Sequence, residues 1–200
     1  PTAKPSLNSP KNSMASAPPP DPTLRFIAES LDAAGVPYMV TGSFASSVHG
    51  EPRATQDLDL VIDPTPSSLN RFLDQLADDR FYFSHEAASD AMKQRGMFNI
   101  IEFGTGWKID LIIRKNRPFS IEEFARRRMS LIDSQTLSMA SPEDVVLAKL
   151  EWAKSGGSTR QLDDVKSILR TLGHDLDRAY IERWADELGG AELWRQIDHE

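Results

Sequence analysis

Cysteine is absent from the 200 residues. That excludes disulfides and thiolate metal sites. The four histidines, His49, His85, His174 and His199, show no zinc-ligand spacing. No run approaches the ~20 apolar residues of a membrane helix. No charged-then-apolar leader opens the chain. A cytoplasmic protein without membrane contact is the expectation. Positive charge is also scarce, and the net charge is −7. Nonspecific nucleic-acid binding rests on neutralising phosphates, so this total argues against it, while a local basic groove stays compatible with it.

Hydrophobic residues make up 40% of the chain, enough for one packed domain or a core with a small helical annex. Residues 1–22 hold seven prolines among Ser, Asn and Lys, which reads as a disordered tail. Residues 23–140 then form the core and 141–200 a C-terminal helical region. Leu24, Ile27, Ala28 and Leu31 recur at helical spacing, with Thr23 as the cap and Gly35 as the stop. A strand over Tyr38–Val40 leads into a short helix at 43–49, ended by Gly50. A second strand covers Asp57–Ile62, and an amphipathic helix Ser67–Asp79. Phe81–Phe83 is strand-like and Glu86–Gln94 a short helix. Met97–Phe103 and Trp107–Ile113 read as a hairpin. Residues 129–139 read as a weak strand or extended segment. Ser141-Pro-Glu-Asp starts a helix. Further helices follow over Arg160–Thr171, about 177–188 and about 191–198. The fold class is α/β (α+β), a small mixed sheet followed by a helical bundle.

The stretch Tyr38–Asp63 carries the chemistry. Alternate side chains of a strand share a face, so Asp57 and Asp59 lie together, opposite Leu58, Leu60 and Ile62. Neighbouring carboxylates repel unless a cation lies between them. Hard oxygen ligands suit Mg²⁺. Asp110 is the only acid in Trp107–Ile113. If that strand lies beside Asp57–Ile62, three carboxylates converge, enough for two ions roughly 3.5–4 Å apart. Gly42 lets backbone approach a ligand closely, and Ser43 at a helix start offers N–H and hydroxyl groups to an anion. Either reading of Gly42-Ser43, ligand cradle or ordinary capped turn, fits it alone. Arg53 either reaches a phosphate or pairs with an acid. Lys149 is either surface charge or a phosphate contact. Asp164 orients Lys149 or Arg160, or faces water. Arg114, Lys115, Arg117, Arg126, Arg127 and Arg128 form a basic stretch. It either guides a nucleic acid or triphosphate, or is a solvated helix face above buried Phe119, Ile121 and Phe124.

Gly42-Ser43, Asp57-x-Asp59 and Asp110 together resemble the nucleotidyltransferase superfamily of DNA polymerase beta. Within it the likeness is to small bacterial nucleotidyltransferases of the abortive-infection toxin type. It is carried by Arg53-Ala-Thr55-Gln-Asp57-Leu-Asp59, by Lys149, and by Arg160-Gln-Leu-Asp163-Asp164-Val, and it covers roughly residues 24–172. The resemblance implies transfer of a nucleoside monophosphate from a nucleoside triphosphate such as ATP, with pyrophosphate release. It implies two Mg²⁺ or Mn²⁺ ions on Asp57, Asp59 and Asp110. Gly42, Ser43, Arg53, Thr55, Lys149 and Asp164 would serve the nucleotide. The acceptor is a tRNA or other RNA, a protein, or a small molecule such as an aminoglycoside, and an antitoxin is the implied protein partner. Two alternatives stand beside it. One is a nucleotide-binding or interaction module with the same fold but no turnover. The other is a plain scaffold in which the acids cap turns.

Overall fold

The structure is a computed structural model and describes residues 22–198 except 78, 157 and 158. Its centre is a seven-stranded mixed sheet. The strands are β1 (Tyr38–Thr41), β2 (Asp57–Ile62), β3 (Phe81–Phe83), β4 (Met97–Glu102), β5 (Lys108–Ile113), β6 (Arg128–Ile132) and β7 (Gln135–Met139), in the order β3-β4-β5-β2-β1-β7-β6. β2 lies antiparallel to β1 and parallel to β5, and β7 lies parallel to β1. The helices are α1 (Pro22–Ala34), α2 (Gly42–His49), α3 (Pro66–Leu73), α4 (His85–Gln94), α5 (Pro118–Ala125), α6 (Pro142–Gly156), α7 (Thr159–Leu172), α8 (Arg178–Leu188) and α9 (Ala191–Asp198). This is the expected α/β architecture, with the later helices following the sheet. Among the described residues no helix is long and apolar enough to cross a membrane.

The apolar parity of β2 decides which face goes inward. Leu58, Leu60 and Ile62 are fully buried, with Ile100, Ile109 and Leu111 from the neighbouring strands. α1 covers this face near β3, where Phe26 stacks on Phe81 with centroids 5.3 Å apart. α3 packs beside α1, its Arg71 donating to the Ala34 carbonyl at 2.7 Å. On the opposite side α2 packs against β1, β2, α6 and α7.

Several local expectations change. Pro22 opens α1 ahead of Thr23, whose hydroxyl donates to Glu102 Oε2 at 2.5 Å. The helix expected over Ser67–Asp79 ends at Leu73. Beyond it the chain tightens into turns in which Gln75 and Leu76 donate to Phe72 and Leu73, and these still bury Leu76. The weak segment 129–139 is a full hairpin of β6 and β7, turned at Asp133, which adopts φ 54. Asp tolerates that left-handed geometry. Ile121 is exposed rather than buried, whereas Phe119 and Phe124 are buried as expected. The expectation for residues 1–21 lies outside the described residues.

Candidate active site

Register builds the site. Asp59 stands directly beside Asp110 on the β2–β5 ladder, and Asp57 stands beside Lys108. Ladder partners point to one face, so three carboxylates and one ammonium occupy a square on that face. The register thus puts Asp57, Asp59 and Asp110 on one sheet face. Lys108 in its midst was not singled out from sequence. The same alternation that pairs Asp57 with Asp59 would have put Lys108 beside Asp110.

β1 ends at Thr41, the partner of Asp59, and the chain turns at once into α2. Gly42 makes the turn at φ +64, and a Cβ there would lie 2.0 Å from Asp59 Oδ2. Only glycine permits that approach. The Ser43 backbone N–H donates to the Asp59 carboxylate. Burial raises the Asp59 pKa, the charges of Asp110 and Asp57 raise it further, and the Ser43 N–H and Lys149 only partly offset them.

Asp110 is buried. Its Oδ2 accepts from Lys108 Nζ at 2.7 Å, while its Oδ1 is buried with no partner among the described residues. The Lys108 pKa is raised, first by the hydrogen bond to Asp110, then by the charges of Asp110, Asp57 and Asp59 against the opposing cost of burial.

A second set of charges joins the Gly-Ser turn to the C-terminal helices. Arg53 Nη2 donates to Ser43 Oγ at 2.8 Å and to Asp164 Oδ2 at 3.0 Å. Lys149 Nζ donates to the same Oδ2 at 2.6 Å. Lys149 is only 4% exposed, so the surface-charge reading of it is wrong. Arg53 Nη1 is buried without a partner among the described residues. Thr55 sits apart from this set, its hydroxyl joined to the Asp57 backbone at 3.2 Å. It fixes the start of β2.

The basic stretch is mostly spent on internal pairs. Arg114 donates to Asp63 at 2.9 Å, and Arg117 grips Glu151 with two nitrogens. Arg126 reaches Glu143 and Asp144 at 3.4 Å each and stacks on the Tyr180 ring at 3.8 Å. Arg127 donates to the Phe124 carbonyl.

Among the described residues no three acidic or histidine side chains are gathered so as to enclose a metal ion. Mg²⁺ needs only one or two carboxylates when phosphates supply the other oxygens. Asp57 and Asp59, two positions apart on one face of β2, meet that requirement. Lys108 on Asp110 is the departure from a site built for two ions.

No family model matches the sequence, and no curated protein matches it. Solved structures do match by shape. A nucleotidyltransferase-like protein from Paracoccidioides brasiliensis is 17% identical, with TM-score 0.53, covering 84% of this chain and 89% of that one. ANT(2'')-Ia in complex with adenylyl-2''-tobramycin is 13% identical, with TM-score 0.55, covering 83% and 94%. The lincosamide adenylyltransferase LnuA, bound to lincomycin, is 13% identical, with TM-score 0.51, covering 72% and 93%. The chain has the nucleotidyltransferase fold.

Proposed function

We propose that this chain transfers a nucleoside monophosphate from a nucleoside triphosphate to an acceptor hydroxyl and releases pyrophosphate. The observation that carries the reading is the pairing of Asp59 with Asp110 on one sheet face, with Gly42 pressed against the Asp59 carboxylate. Asp57 and Asp59 would hold a Mg²⁺ or Mn²⁺ ion that neutralises the triphosphate and polarises its α-phosphorus. Gly42 and Ser43 open α2, whose N-terminal N–H groups suit phosphate oxygens. Arg53 and Lys149 sit beside that turn and would meet charge as it moves to the departing pyrophosphate. Asp164 holds both of those cations in place. Residues 23–140 would supply the catalytic core and residues 141–200 the helices that complete it.

The acceptor side is the half of the face over β3 and β4. Tyr82, Met97, Asn99 and Ile101 share the parity of Asp110 and are exposed. They present apolar surface and an amide, with the acids at one end. With Arg114, Arg117 and Arg126 committed to internal pairs, a neutral or cationic small molecule suits this face better than RNA. The fold neighbours handle tobramycin and lincomycin. A toxin role, with its antitoxin, rests on the Arg53–Asp59 motif with Lys149 and Asp164 alone.

The test is incubation with each α-³²P nucleoside triphosphate, Mg²⁺, and either tobramycin, lincomycin, tRNA or cell extract. Pyrophosphate release with label on one acceptor, lost in Asp59→Asn, is the expected result. No release with any combination would overturn the reading.

A further inference from the structure

Lys108 is the one member of the acidic square that carries positive charge. It comes from the strand that supplies Asp110, two positions earlier and on the same face. Its ammonium donates to Asp110 Oδ2 at 2.7 Å, and its ladder partner is Asp57. An ammonium on the third carboxylate, facing the first two, stands where an acceptor-side metal ion would be held. We infer that Lys108 permanently fills the acceptor-side cation position, so that the site takes a single divalent ion, on the nucleotide side, with Asp110 left as the base. This inference rests on the transfer reading and refines it.

The charges agree with that count. Three carboxylates, one ammonium and one dication sum to zero within the square. A second dication would have to share Asp110 with an ammonium already in hydrogen-bond contact, and like charges at that range repel strongly. The free oxygen agrees as well. With Oδ2 held by Lys108, Oδ1 is buried and unpartnered, and the carboxylate would have to turn it toward the acceptor before taking a proton. The acceptor oxygen forms its bond to the α-phosphorus and gives its proton to Oδ1. The bond from the α-phosphorus to the bridging oxygen breaks, and pyrophosphate leaves with the electron pair. Lys108 does not touch the reacting atoms in this scheme. It is a positioning residue that sets the orientation of the Asp110 carboxylate through Oδ2.

Counting ions tests it without relying on activity. The folded chain is titrated with Mn²⁺ in the presence of a nonhydrolysable α,β-methylene analogue of each nucleoside triphosphate, and bound Mn²⁺ is read by electron paramagnetic resonance. The expected stoichiometry is one Mn²⁺ per nucleotide-loaded chain in the parent and in Lys108→Arg, which keeps the charge. Lys108→Met, shown folded by circular dichroism, should bind two. Two ions in the parent, or one in Lys108→Met, would overturn this inference and leave the transfer reading standing. A parent that binds no Mn²⁺-nucleotide at all would overturn both.

Discussion

Arg53 and Asp164, 111 positions apart, meet fork to fork, with Nε donating to Oδ1 at 2.9 Å and Nη2 to Oδ2 at 3.0 Å. Such bidentate pairs fix geometry as well as charge. Lys149 shares Oδ2, so one carboxylate sets the position of both cations nearest the Gly-Ser turn. Burial pushes the Asp164 carboxyl up, yet the hydrogen bonds and charges of Arg53 and Lys149 leave it below its ordinary 3.8. For Lys149 the balance differs, because burial outweighs the shared carboxylate and lowers its pKa.

Asp164→Asn should therefore cost stability as well as nucleotide affinity. Removing one partner leaves the buried Lys149 ammonium uncompensated, at about 3–5 kcal/mol near neutral pH. The folded pKa of Asp164 is depressed, so its contribution is present above the ordinary value and lost as pH falls through the lower folded one. Guanidinium unfolding at about pH 7 and pH 3 checks this. A gap between parent and variant that is as wide at pH 3 as at pH 7 would contradict it.

Gly42→Ala should damage the site more than the fold. The left-handed backbone opposes any side chain there, costing on the order of 1 kcal/mol or more. The added methyl must also push the Asp59 carboxylate aside. A misplacement of that size costs turnover on the order of 10²-fold. Gly104→Ala is the control, since nothing lies within 4 Å of a Cβ there. Comparable turnover in the two variants would show that the Gly42 approach to Asp59 is irrelevant to catalysis.

Asp110→Asn and Asp59→Asn should part company. Asp110→Asn keeps the shape and loses the proton acceptor, so turnover falls by about 10²–10⁴ while nucleotide affinity stays within a few-fold. Asp59→Asn weakens both. Isothermal titration with a nonhydrolysable analogue, alongside steady-state pyrophosphate release, separates the two. Near-parental release by Asp110→Asn would remove it from the chemistry.

Glu123 predicts how stability changes with pH. Burial first, then Asp144 and Glu151, raise its carboxyl from 4.5 to about 8, against the Ser120 hydrogen bond and the Arg117 charge. The raised folded value means its contribution is full below the unfolded 4.5 and lost as pH rises through about 8. Parent stability should decline across that interval, and Glu123→Gln should flatten the decline. Unfolding curves at several pH values between about 5 and 9 check it. Parallel curves for the two proteins would mean that Glu123 titrates normally.

The site was legible where strand parity alone decided it. Asp57, Asp59 and Asp110 share a face because each sits on the polar phase of an otherwise apolar strand, and Gly42-Ser43 announces a turn by residue type. What could not be read was long-range pairing. Nothing local to Arg53 selects Asp164 over a phosphate, and nothing in the α6 pattern shows that α7 will roof Lys149. The basic stretch stays open between two readings for the same reason, because Asp63, Glu143, Asp144 and Glu151, which pair with it, lie outside it in sequence. α3 ended early because turns bury Leu76 as well as another helical turn would. Lys108 is readable by the same parity, two positions before Asp110 on β5.

The strand order has a consequence while the chain is being made. β1 and β2 emerge first and pair with each other, but the other edge of β2 has no partner until β5 leaves the ribosome. Through that interval Leu58, Leu60, Val61 and Ile62 form an apolar strand with an open edge, the kind that recruits strands from other chains. Asp57 and Asp59 place two negative charges on it, and like strands carrying the same pair repel. On that open edge these two carboxylates would work against aggregation of the nascent chain.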